Sequence, residues 1–199
     1  MREKNLSMKD FRILSKRLVS LIMEETMALH YTEETIKESP LGLFKTKRNS
    51  FAYKDYVAIS ILRSGNAMVD EVVNLFPEIS IGKVMIQRDE ESKEKLPKFY
   101  FEKIPKNIKN KRILVLDPML ATGGSASKTI EIIISKGAKE ENITFVNILS
   151  CEEGIRNLSA KFPLMKIVTG KVDPILLPNK YLAPGIGDFG DRYYGTTDF

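Results

Sequence analysis

Asp117 and the Thr-Gly-Gly-Ser run at residues 122–125 form the stretch whose residue types are best suited to chemistry. Before them lies a short apolar run at 113–116, which is typical of a strand buried on both faces. After them, apolar residues recur at helical spacing until Gly137. Such a strand, loop and helix present free backbone N–H groups and the positive end of a helix dipole to an anion. The stretch therefore predicts a phosphate site, with an ordinary strand-to-helix turn of the same composition as the alternative.

Two further polar turns follow apolar runs in the same way. Arg63 comes after the run at 56–62, and Arg88 comes shortly after the run at 79–86. Strands that alternate with helices predict a parallel sheet covered on both faces, and ligands bind at the carboxyl ends of such strands. Arg63, Arg88 and Asp117 are therefore expected along one edge of the sheet, which favours the phosphate site over the ordinary turn.

The remaining segments supply the elements that must position these residues. Ser7 is placed as the N-cap of a helix that runs to about Ala28 or His30, and His30 is expected on the surface or in a capping role. The polar segment 32–53 predicts extended pieces, an arm. Further strands are expected at 99–104, 143–149 and 165–169, the first of them forming a long hairpin with the run at 79–86, and a helix is expected at 151–162.

Composition limits the classes of protein to which the chain can belong. Its 199 residues fit one domain, with 43% apolar and 29% charged residues. No apolar run reaches the length of a membrane span, and no signal peptide is visible at the N-terminus. The single cysteine, Cys151, excludes an internal disulfide, and together these features predict a cytoplasmic protein. The net charge of +5 suits a small anionic ligand as well as it suits ordinary solubility, and Lys45–Arg48 is the one short basic cluster that hints at nucleic acid.

Three alternative phosphate or metal sites do not fit the residues. The run from Gly124 to Thr129 resembles a nucleoside-triphosphate loop only superficially, because Ser127 stands in place of the glycine before Lys128. That lysine would lie one turn inside the helix, too far along to reach a terminal phosphate. No G-x-G-x-x-G follows the first strand, and no Cys/His cluster is available for zinc.

Residues 117–125 resemble the phosphoribosyl-pyrophosphate (PRPP) loop of the uracil phosphoribosyltransferases, which have the type I phosphoribosyltransferase fold. Residues 61–65, 87–91 and 181–196 agree with the same family. The last segment, with the pattern P-G-x-G-D-x-G-D-R-x-x-G-T, is the most specific to the uracil enzymes. The resemblance extends from about Arg2 to Thr196 and is nearest to the eukaryotic, protozoan-type branch. Leu177 departs from the family, which usually has Asn there, and the segment that precedes the family's first arginine is missing.

The resemblance implies an α/β fold with a central, mostly parallel sheet flanked by helices. It implies a single domain over 1–199, with a core at about 55–170. A small hood would be built from about 1–30 and 171–199, and a hairpin or loop would protrude.

The resemblance also assigns roles to individual residues. The 5′-phosphate of PRPP would lie on Thr122, Gly123, Gly124 and Ser125, the ribose hydroxyls on Asp117, and the pyrophosphate on Arg63 and Arg88. The loop at 89–98 would close over the site. Uracil would be read by the backbone of Leu182, Gly187 and Phe189, with Asp188 facing PRPP. The implied PRPP-binding residues are Arg63, Arg88, Asp117, Pro118, Met119, Leu120, Ala121, Thr122, Gly123, Gly124, Ser125 and Asp188, of which Asp117, Arg63 and Asp188 are the implied catalytic residues.

The implied reaction converts uracil and PRPP to UMP and diphosphate in pyrimidine salvage, through charge development on the ribose and without a covalent intermediate. Mg²⁺ would arrive mainly with PRPP, so no protein metal site is expected, and GTP is raised as an allosteric activator. The implied assembly is a homodimer or homotetramer, with no nucleic-acid or membrane partner. The alternative is a non-catalytic PRPP- or nucleotide-sensing regulator on the same fold.

Each assigned residue also has a simpler structural role open to it. Asp117 could cap its turn, and Arg63 or Arg88 could be ion-pair partners. Asp188 and Asp191 could both be turn residues in a glycine-rich tail. The pattern favours function for Asp188 and structure for Asp191.

Overall fold

A mostly parallel β-sheet forms the centre of the computed structural model, which describes residues 1–49, 51–88 and 97–196. The strands are β1 Tyr31–Ser39, β2 Gly42–Asn49, β3 Tyr56–Leu62, β4 Ser80–Arg88, β5 Pro97–Lys103, β6 Arg112–Leu116, β7 Met119–Leu120, β8 Ile143–Cys151, β9 Lys166–Asp173, β10 Ile175–Leu176 and β11 Leu182–Ala183. The helices are α1 Met8–Ala28, α2 Asn66–Leu75, α3 Gly124–Ser135, α4 Glu152–Lys161 and α5 Phe189–Tyr194.

The strand order follows from parallel crossovers. From one edge the order is β5, β4, β3, β6 and β8, and β9 lies beside β8. The short strand β7 also pairs with β8, beyond the end of β6. Among the described strands of this central sheet, every pair is parallel except β4 with β5, which form the antiparallel hairpin that the sequence predicted.

Two hydrophobic cores lie on opposite faces of this sheet. Tyr56 and Ala58 of β3 face a core that also contains residues of α1, α2 and α5. Val57 and Ile59 face the other core, with residues of α3 and α4. Burial of alternate side chains on both faces explains why β3 reads as an unbroken apolar run.

The predicted ends of two helices are confirmed by their capping contacts. The Ser7 hydroxyl accepts a hydrogen bond from the Asp10 N–H at 3.1 Å, and α1 begins at Met8. Gly137 lies two residues after the end of α3 with φ +95°, in the left-handed region that favours glycine. None of the helices in the described ranges has the length and apolarity that crossing a membrane requires.

The segment predicted as an arm forms a two-stranded hairpin. β1 and β2 pair antiparallel with each other, and Leu41 at the tip is fully exposed. The prediction for His30 was wrong. Its side chain is buried at 8% exposure, because it packs at the base of the hairpin, where Nδ1 lies 2.8 Å from the hydroxyl of Tyr56. Asn49 of β2 donates to the same hydroxyl at 2.9 Å.

Candidate active site

A cavity of about 710 Å³ lies at the carboxyl ends of β3, β4 and β6. Its walls come from the first turn after β3, from the loop between β6 and α3, and from the C-terminal tail (residues 181–196) with the two residues before it. This is the edge at which parallel sheets bind ligands. The cavity is therefore the place where the sequence-predicted phosphate site and the tail meet.

The loop after β6 forms because the strand is interrupted at Asp117–Pro118. The carbonyl oxygen of Pro118 accepts hydrogen bonds from the backbone N–H groups of both Ile148 and Leu149, each at 3.0 Å. The chain resumes as β7 and then turns at Gly123, whose φ is +85°. The helix α3 begins directly after this turn. The N–H groups of its first turn have no intrahelical acceptor and are free to bind an anion.

The loop is supported from behind by α4. The Sγ atom of Cys151 lies 3.0 Å from the Ala121 carbonyl oxygen and donates to it, and the Asn157 amide donates to the Thr122 carbonyl oxygen at 3.2 Å. Gly154 lies so close that a Cβ atom there would be 2.2 Å from the Ala121 oxygen. These contacts engage the carbonyl oxygens of Ala121 and Thr122 and restrict the position of the loop.

Asp117 lies at the break between β6 and β7, half-buried in the wall of the cavity. One of its carboxylate oxygens accepts from the Met119 N–H at 3.5 Å. Its own N–H donates to the carbonyl oxygen of Val146 at 3.3 Å. The carboxylate is thus tied to a rigid strand end, as a group that must meet a ligand at a fixed position needs to be.

Arg63 reaches the cavity from the turn after β3. The turn is tight, because a Cβ atom at Gly65 would lie 2.2 Å from the carbonyl oxygen of Leu116 on the neighbouring strand. The Arg63 guanidinium is half-exposed and lies 2.6 Å from the carboxylate of Asp191. Asp191 also accepts a hydrogen bond from the Thr196 hydroxyl. That bond and the Arg63 guanidinium lower the pKa of the Asp191 carboxyl.

The tail contributes exposed backbone to the cavity wall at Gly187. Gly187 has a φ of +73°, in the region that glycine favours, and Asp188 then caps α5 by accepting from the Asp191 N–H at 2.9 Å. Asp188 is therefore both a cavity residue and a helix N-cap. Both roles that the sequence left open for it fit this position.

The start of the tail is held by an ion pair whose carboxylate is buried. Arg2 donates to both carboxylate oxygens of Asp173, at 2.9 and 2.5 Å, and to the carbonyl oxygen of Gly185 at 2.9 Å. Asp173 also accepts from the Gly185 N–H at 2.8 Å. The hydrogen bond from Arg2 and the bond from Gly185 lower the pKa of the Asp173 carboxyl against the opposing effect of burial. The N-terminus thereby anchors the segment that the sequence assigned to uracil.

Most of the predicted site residues meet in this cavity. The ones that line it are Arg63, Asp117, Met119, Leu120, Ala121, Thr122, Gly123, Gly124, Ser125, Leu182, Gly187, Asp188 and Phe189. Pro118 is not among the described residues that line it, because its carbonyl is used in the sheet. Arg88 is the last residue of β4, and the predicted closing loop at 89–98 lies outside the described residues over 89–96.

Sequence reasoning missed several residues around the cavity. Ser64, Met85, Ile86, Asn179, Lys180 and Tyr181 also line it. The supporting contacts of Arg2, Cys151 and Asn157 were missed as well. A Gly-rich pattern signals a loop, but the partners behind a loop are distant in sequence and carry no local signal.

Comparison with known proteins agrees with this geometry. The family model "Uracil phosphoribosyltransferase" matches residues 1–196. A uracil phosphoribosyltransferase from Dictyostelium discoideum is 40% identical over 197 residues, covering 99% of this chain and 89% of the relative. One from Saccharomyces cerevisiae is 42% identical, covering 97% of this chain and 88% of the relative.

Solved structures show the same fold. The AQ2163 protein from Aquifex aeolicus superposes with a TM-score of 0.83 at 26% identity, covering 100% of this chain and 92% of that one. A hypoxanthine-guanine phosphoribosyltransferase from Bacillus anthracis has a TM-score of 0.56 at 12% identity, over 88% of this chain and 85% of that one, and this likeness concerns the fold alone. The match over nearly the whole chain, at about 40% identity to full-length relatives, identifies this protein as a member of the uracil phosphoribosyltransferase family.

Proposed function

We propose that this chain transfers the 5-phosphoribosyl group of PRPP to uracil, which yields UMP and diphosphate, and that the cavity is where this happens. The observation that carries the proposal is the meeting of three kinds of wall in one cavity. These are a helix N-terminus behind a Gly-rich loop, the guanidinium of Arg63, and a stretch of glycine-rich backbone. They correspond to the phosphate, diphosphate and base parts of the two substrates.

The 5′-phosphate belongs on the loop before α3. Thr122 and Ser125 supply hydroxyls, and the first turn of α3 supplies unpaired N–H groups with the helix dipole behind them. Asp117, at the near end of the same loop, is placed to accept hydrogen bonds from the ribose hydroxyls. The phosphate and ribose of one substrate would thus be bound by residues of a single loop, 117–125.

The diphosphate belongs on the side of Arg63. A guanidinium matches phosphate oxygens in a bidentate fork and stays charged throughout the reaction. Arg88, at the end of the adjacent strand β4, is proposed as its partner on the strength of its position at the same sheet edge. Stabilisation of the charge on the departing diphosphate is the main electrostatic contribution that these arginines would make.

The oxygen ligands of the cavity suit a magnesium ion that binds as a complex with PRPP. Among the described residues that line the cavity, the carboxylates are those of Asp117 and Asp188, and no group of three or more potential metal ligands exists in the described ranges. Mg²⁺ keeps several waters and takes its remaining ligands from one or two carboxylates and from phosphates. Bound in this way, Mg²⁺ would neutralise the diphosphate charge, and Asp117 and Asp188 are the residues that would hold it or its waters.

Uracil belongs on the backbone of the tail. Flat bases with alternating donors and acceptors are well matched by main-chain N–H and C=O groups, which Leu182, Gly187 and Phe189 present beside the cavity. Gly187 lets the main chain approach the base closely, because it has no side chain on that side.

The chemical step that follows is a displacement at C1 of the ribose. The bond from C1 to the diphosphate oxygen breaks, the uracil N1 lone pair forms the new C–N bond, and the N1 proton is lost. The ribose passes through an oxocarbenium-like state, so the protein contributes orientation and electrostatic stabilisation rather than a nucleophile.

We further propose that the protein is a homodimer or homotetramer, that GTP activates it and that it is cytoplasmic, as the resemblance and the composition suggested. A single buried thiol, Cys151, suits a reducing compartment.

The decisive experiment incubates the purified chain with labelled uracil, PRPP and Mg²⁺ and measures UMP and diphosphate in equal amounts. Adenine and hypoxanthine serve as control bases that should give no nucleotide. If the protein binds PRPP normally in a calorimetric titration and yet forms no UMP, the transferase proposal is wrong and the regulatory alternative replaces it.

A further inference from the structure

Arg63 is held by two residues of the C-terminal tail. Its Nη2 atom lies 2.6 Å from the Oδ1 atom of Asp191, although the two residues are 128 positions apart in the chain. Its Nη1 atom donates to the Thr196 hydroxyl at 3.0 Å. The Thr196 hydroxyl in turn donates to the same carboxylate oxygen of Asp191 at 2.5 Å. The three side chains therefore form a closed hydrogen-bonded triangle.

The space around the guanidinium is restricted on two further sides. A Cβ atom at Gly190 would lie 3.1 Å from the Arg63 Nη2 atom and 2.8 Å from the Ser64 hydroxyl. The Tyr194 ring lies 5.4 Å from the Arg63 guanidinium carbon, and its hydroxyl donates to the Arg63 carbonyl oxygen at 3.4 Å. The short helix α5 thus packs directly against one side of the arginine, while the other side remains exposed.

The same helix is tied to the segment assigned to uracil. The Asp191 N–H donates to the carboxylate of Asp188, which immediately follows Gly187. Phe189, the first residue of α5, lies in the cavity wall and packs in the core against Phe11 and Tyr193. The helix α5 therefore begins with base-side backbone, and the two partners of Arg63 lie in its first turn (Asp191) and two residues after its end (Thr196).

We propose that Asp191, together with Thr196, is a positioning residue that fixes Arg63 in the orientation needed to bind the diphosphate of PRPP. The inference rests on the proposed role of Arg63 in diphosphate binding. A guanidinium has five N–H donors, and Asp191 and Thr196 together use two of them. The other donors remain for phosphate oxygens. An arginine held in place loses less rotamer freedom when it binds, which strengthens binding without a new contact.

A different reading of the same geometry is that Asp191 competes with the diphosphate for Arg63. The two hypotheses predict opposite effects on diphosphate binding when the Asp191 carboxylate is neutralised. If Asp191 positions Arg63, neutralising the carboxylate weakens diphosphate binding. If Asp191 competes, the same change strengthens it. Positioning is favoured because Thr196 and the Tyr194 ring contact the guanidinium at the same place without supplying a competing negative charge, and a device for release would not need them.

The test measures the inhibition constant of diphosphate against PRPP in the forward reaction, together with the dissociation constant of UMP. For Asp191→Asn we expect the diphosphate constant and the KM for PRPP to rise about tenfold, as for the loss of one charge-assisted hydrogen bond, with UMP binding unchanged. Thr196→Val should act in the same direction with a smaller effect, and Thr196→Ser should restore the wild-type values. Asp70→Asn is the matched control, because Asp70 is exposed nearby on α2 and makes no hydrogen bond to Arg63.

The outcomes separate this inference from the proposed function. If Arg63→Ala leaves the diphosphate constant unchanged, the proposed role of Arg63 itself fails. If Arg63→Ala raises the constant but Asp191→Asn leaves it unchanged or lowers it, only the positioning role is overturned. Weakened UMP binding in Asp191→Asn would also overturn it, because that result indicates a general loss of the tail structure. Should Asp191→Asn fail to fold, the Thr196→Val and Thr196→Ser pair decides the question.

Discussion

Gly154 lies against Ala121 so closely that a Cβ atom at position 154 would be 2.2 Å from the Ala121 carbonyl oxygen. Gly154 lies in the first turn of α4, and Ala121 lies in the loop assigned to the 5′-phosphate. The contact joins α4 to the Ala121 carbonyl oxygen, which is part of the backbone. This oxygen can move only if the loop moves with it. The loop's position therefore depends on a residue that touches no substrate.

Gly154→Ala tests this dependence. In an ordinary helix the change is expected to stabilise by about 1 kcal/mol, because glycine is a poor helix former. Here we expect the reverse, with a lower Tm and a KM for PRPP raised at least about tenfold, since the loop must shift by a substantial part of an ångström. Ser159→Ala, on the exposed side of the same helix, is the control and should leave the KM unchanged. A Gly154→Ala enzyme with normal KM for PRPP would contradict the proposed support.

Asp117→Asn tests the ribose assignment. The substitution keeps the shape of the side chain but removes the charge that would accept hydrogen bonds from the ribose hydroxyls and stabilise positive charge on the ring. We expect kcat/KM for PRPP to fall by about 100-fold or more, the scale on which electrostatic groups in active sites act. Steady-state kinetics with PRPP varied and uracil saturating gives the value. An unchanged kcat/KM would leave Asp117 as a turn residue only.

Arg2→Ala tests the anchor of the tail. Asp173 has 2% of its side chain exposed and would lose its charged partner, which leaves a buried carboxylate paired only with the Gly185 N–H. We expect the free energy of unfolding to fall by about 2 kcal/mol, and the KM for uracil to rise, because Gly185 lies two residues before Gly187. Urea unfolding and uracil kinetics measure the two effects.

The control for Arg2→Ala is Arg48→Ala. It removes the exposed ion pair of Arg48 with Glu33 in the hairpin. We expect that change to cost less than about 1 kcal/mol, as exposed pairs usually do. If the free energy of unfolding fell equally in the two variants, the burial of Asp173 would add nothing to the stability that its ion pair provides.

The histidine at the base of the hairpin predicts a pH dependence of stability. Burial, with added repulsion from Lys166 and Arg112, lowers the pKa of His30 to about 4 from its ordinary value near 6.5. The unfolded chain therefore binds more protons than the folded chain between these values. The contribution of His30 is fully present above about pH 6.5, declines as the pH falls towards 4, and amounts to about 3 kcal/mol at most.

His30→Gln removes this titration and is the comparison that isolates it. The Tm of the wild type should fall more steeply than that of His30→Gln between pH 6.5 and 4, and the two curves should run parallel above pH 7. Carboxylates that titrate in the same range affect both proteins and cancel in the difference. Parallel curves over the whole range would mean that His30 keeps an ordinary pKa.

At position 180, replacing the lysine by glycine is expected to stabilise the protein. Lys180 has a φ of +69° in the three-residue loop between Leu177 and Tyr181, whose backbone groups are joined at 2.8 Å. Lys180→Gly should raise the free energy of unfolding by about 0.5–1 kcal/mol by relieving this strain. Lys180→Ala keeps a Cβ atom and should give no such gain. Because Lys180 lines the cavity, the KM values for both substrates are measured on the same variants.

The sequence by itself determined the main strands and helices and most of the residues proposed for substrates. The apolar runs are typical of strands buried on both faces, and the strands at 56–62 and 143–149 were confirmed where they were predicted. The tail pattern was specific enough to indicate the family, which the matches to known proteins confirmed. These features could be predicted because the periodicity of burial and the turn chemistry are local properties of a chain.

Only the tertiary structure decided which distant residues support that site. His30 was expected at the surface or in a capping role because no nucleophile pattern accompanies it, yet the hairpin and Tyr56 cover it. Asp191 was expected to be structural, and the fold shows that its partner is Arg63, which lies 128 positions earlier in the chain. Contacts of this kind depend on how helices and loops pack after the sheet has formed, and no local pattern encodes them. The loop at 117–125 could therefore be recognised in the sequence, but the groups that hold it and its arginine in place could be found only in the folded chain.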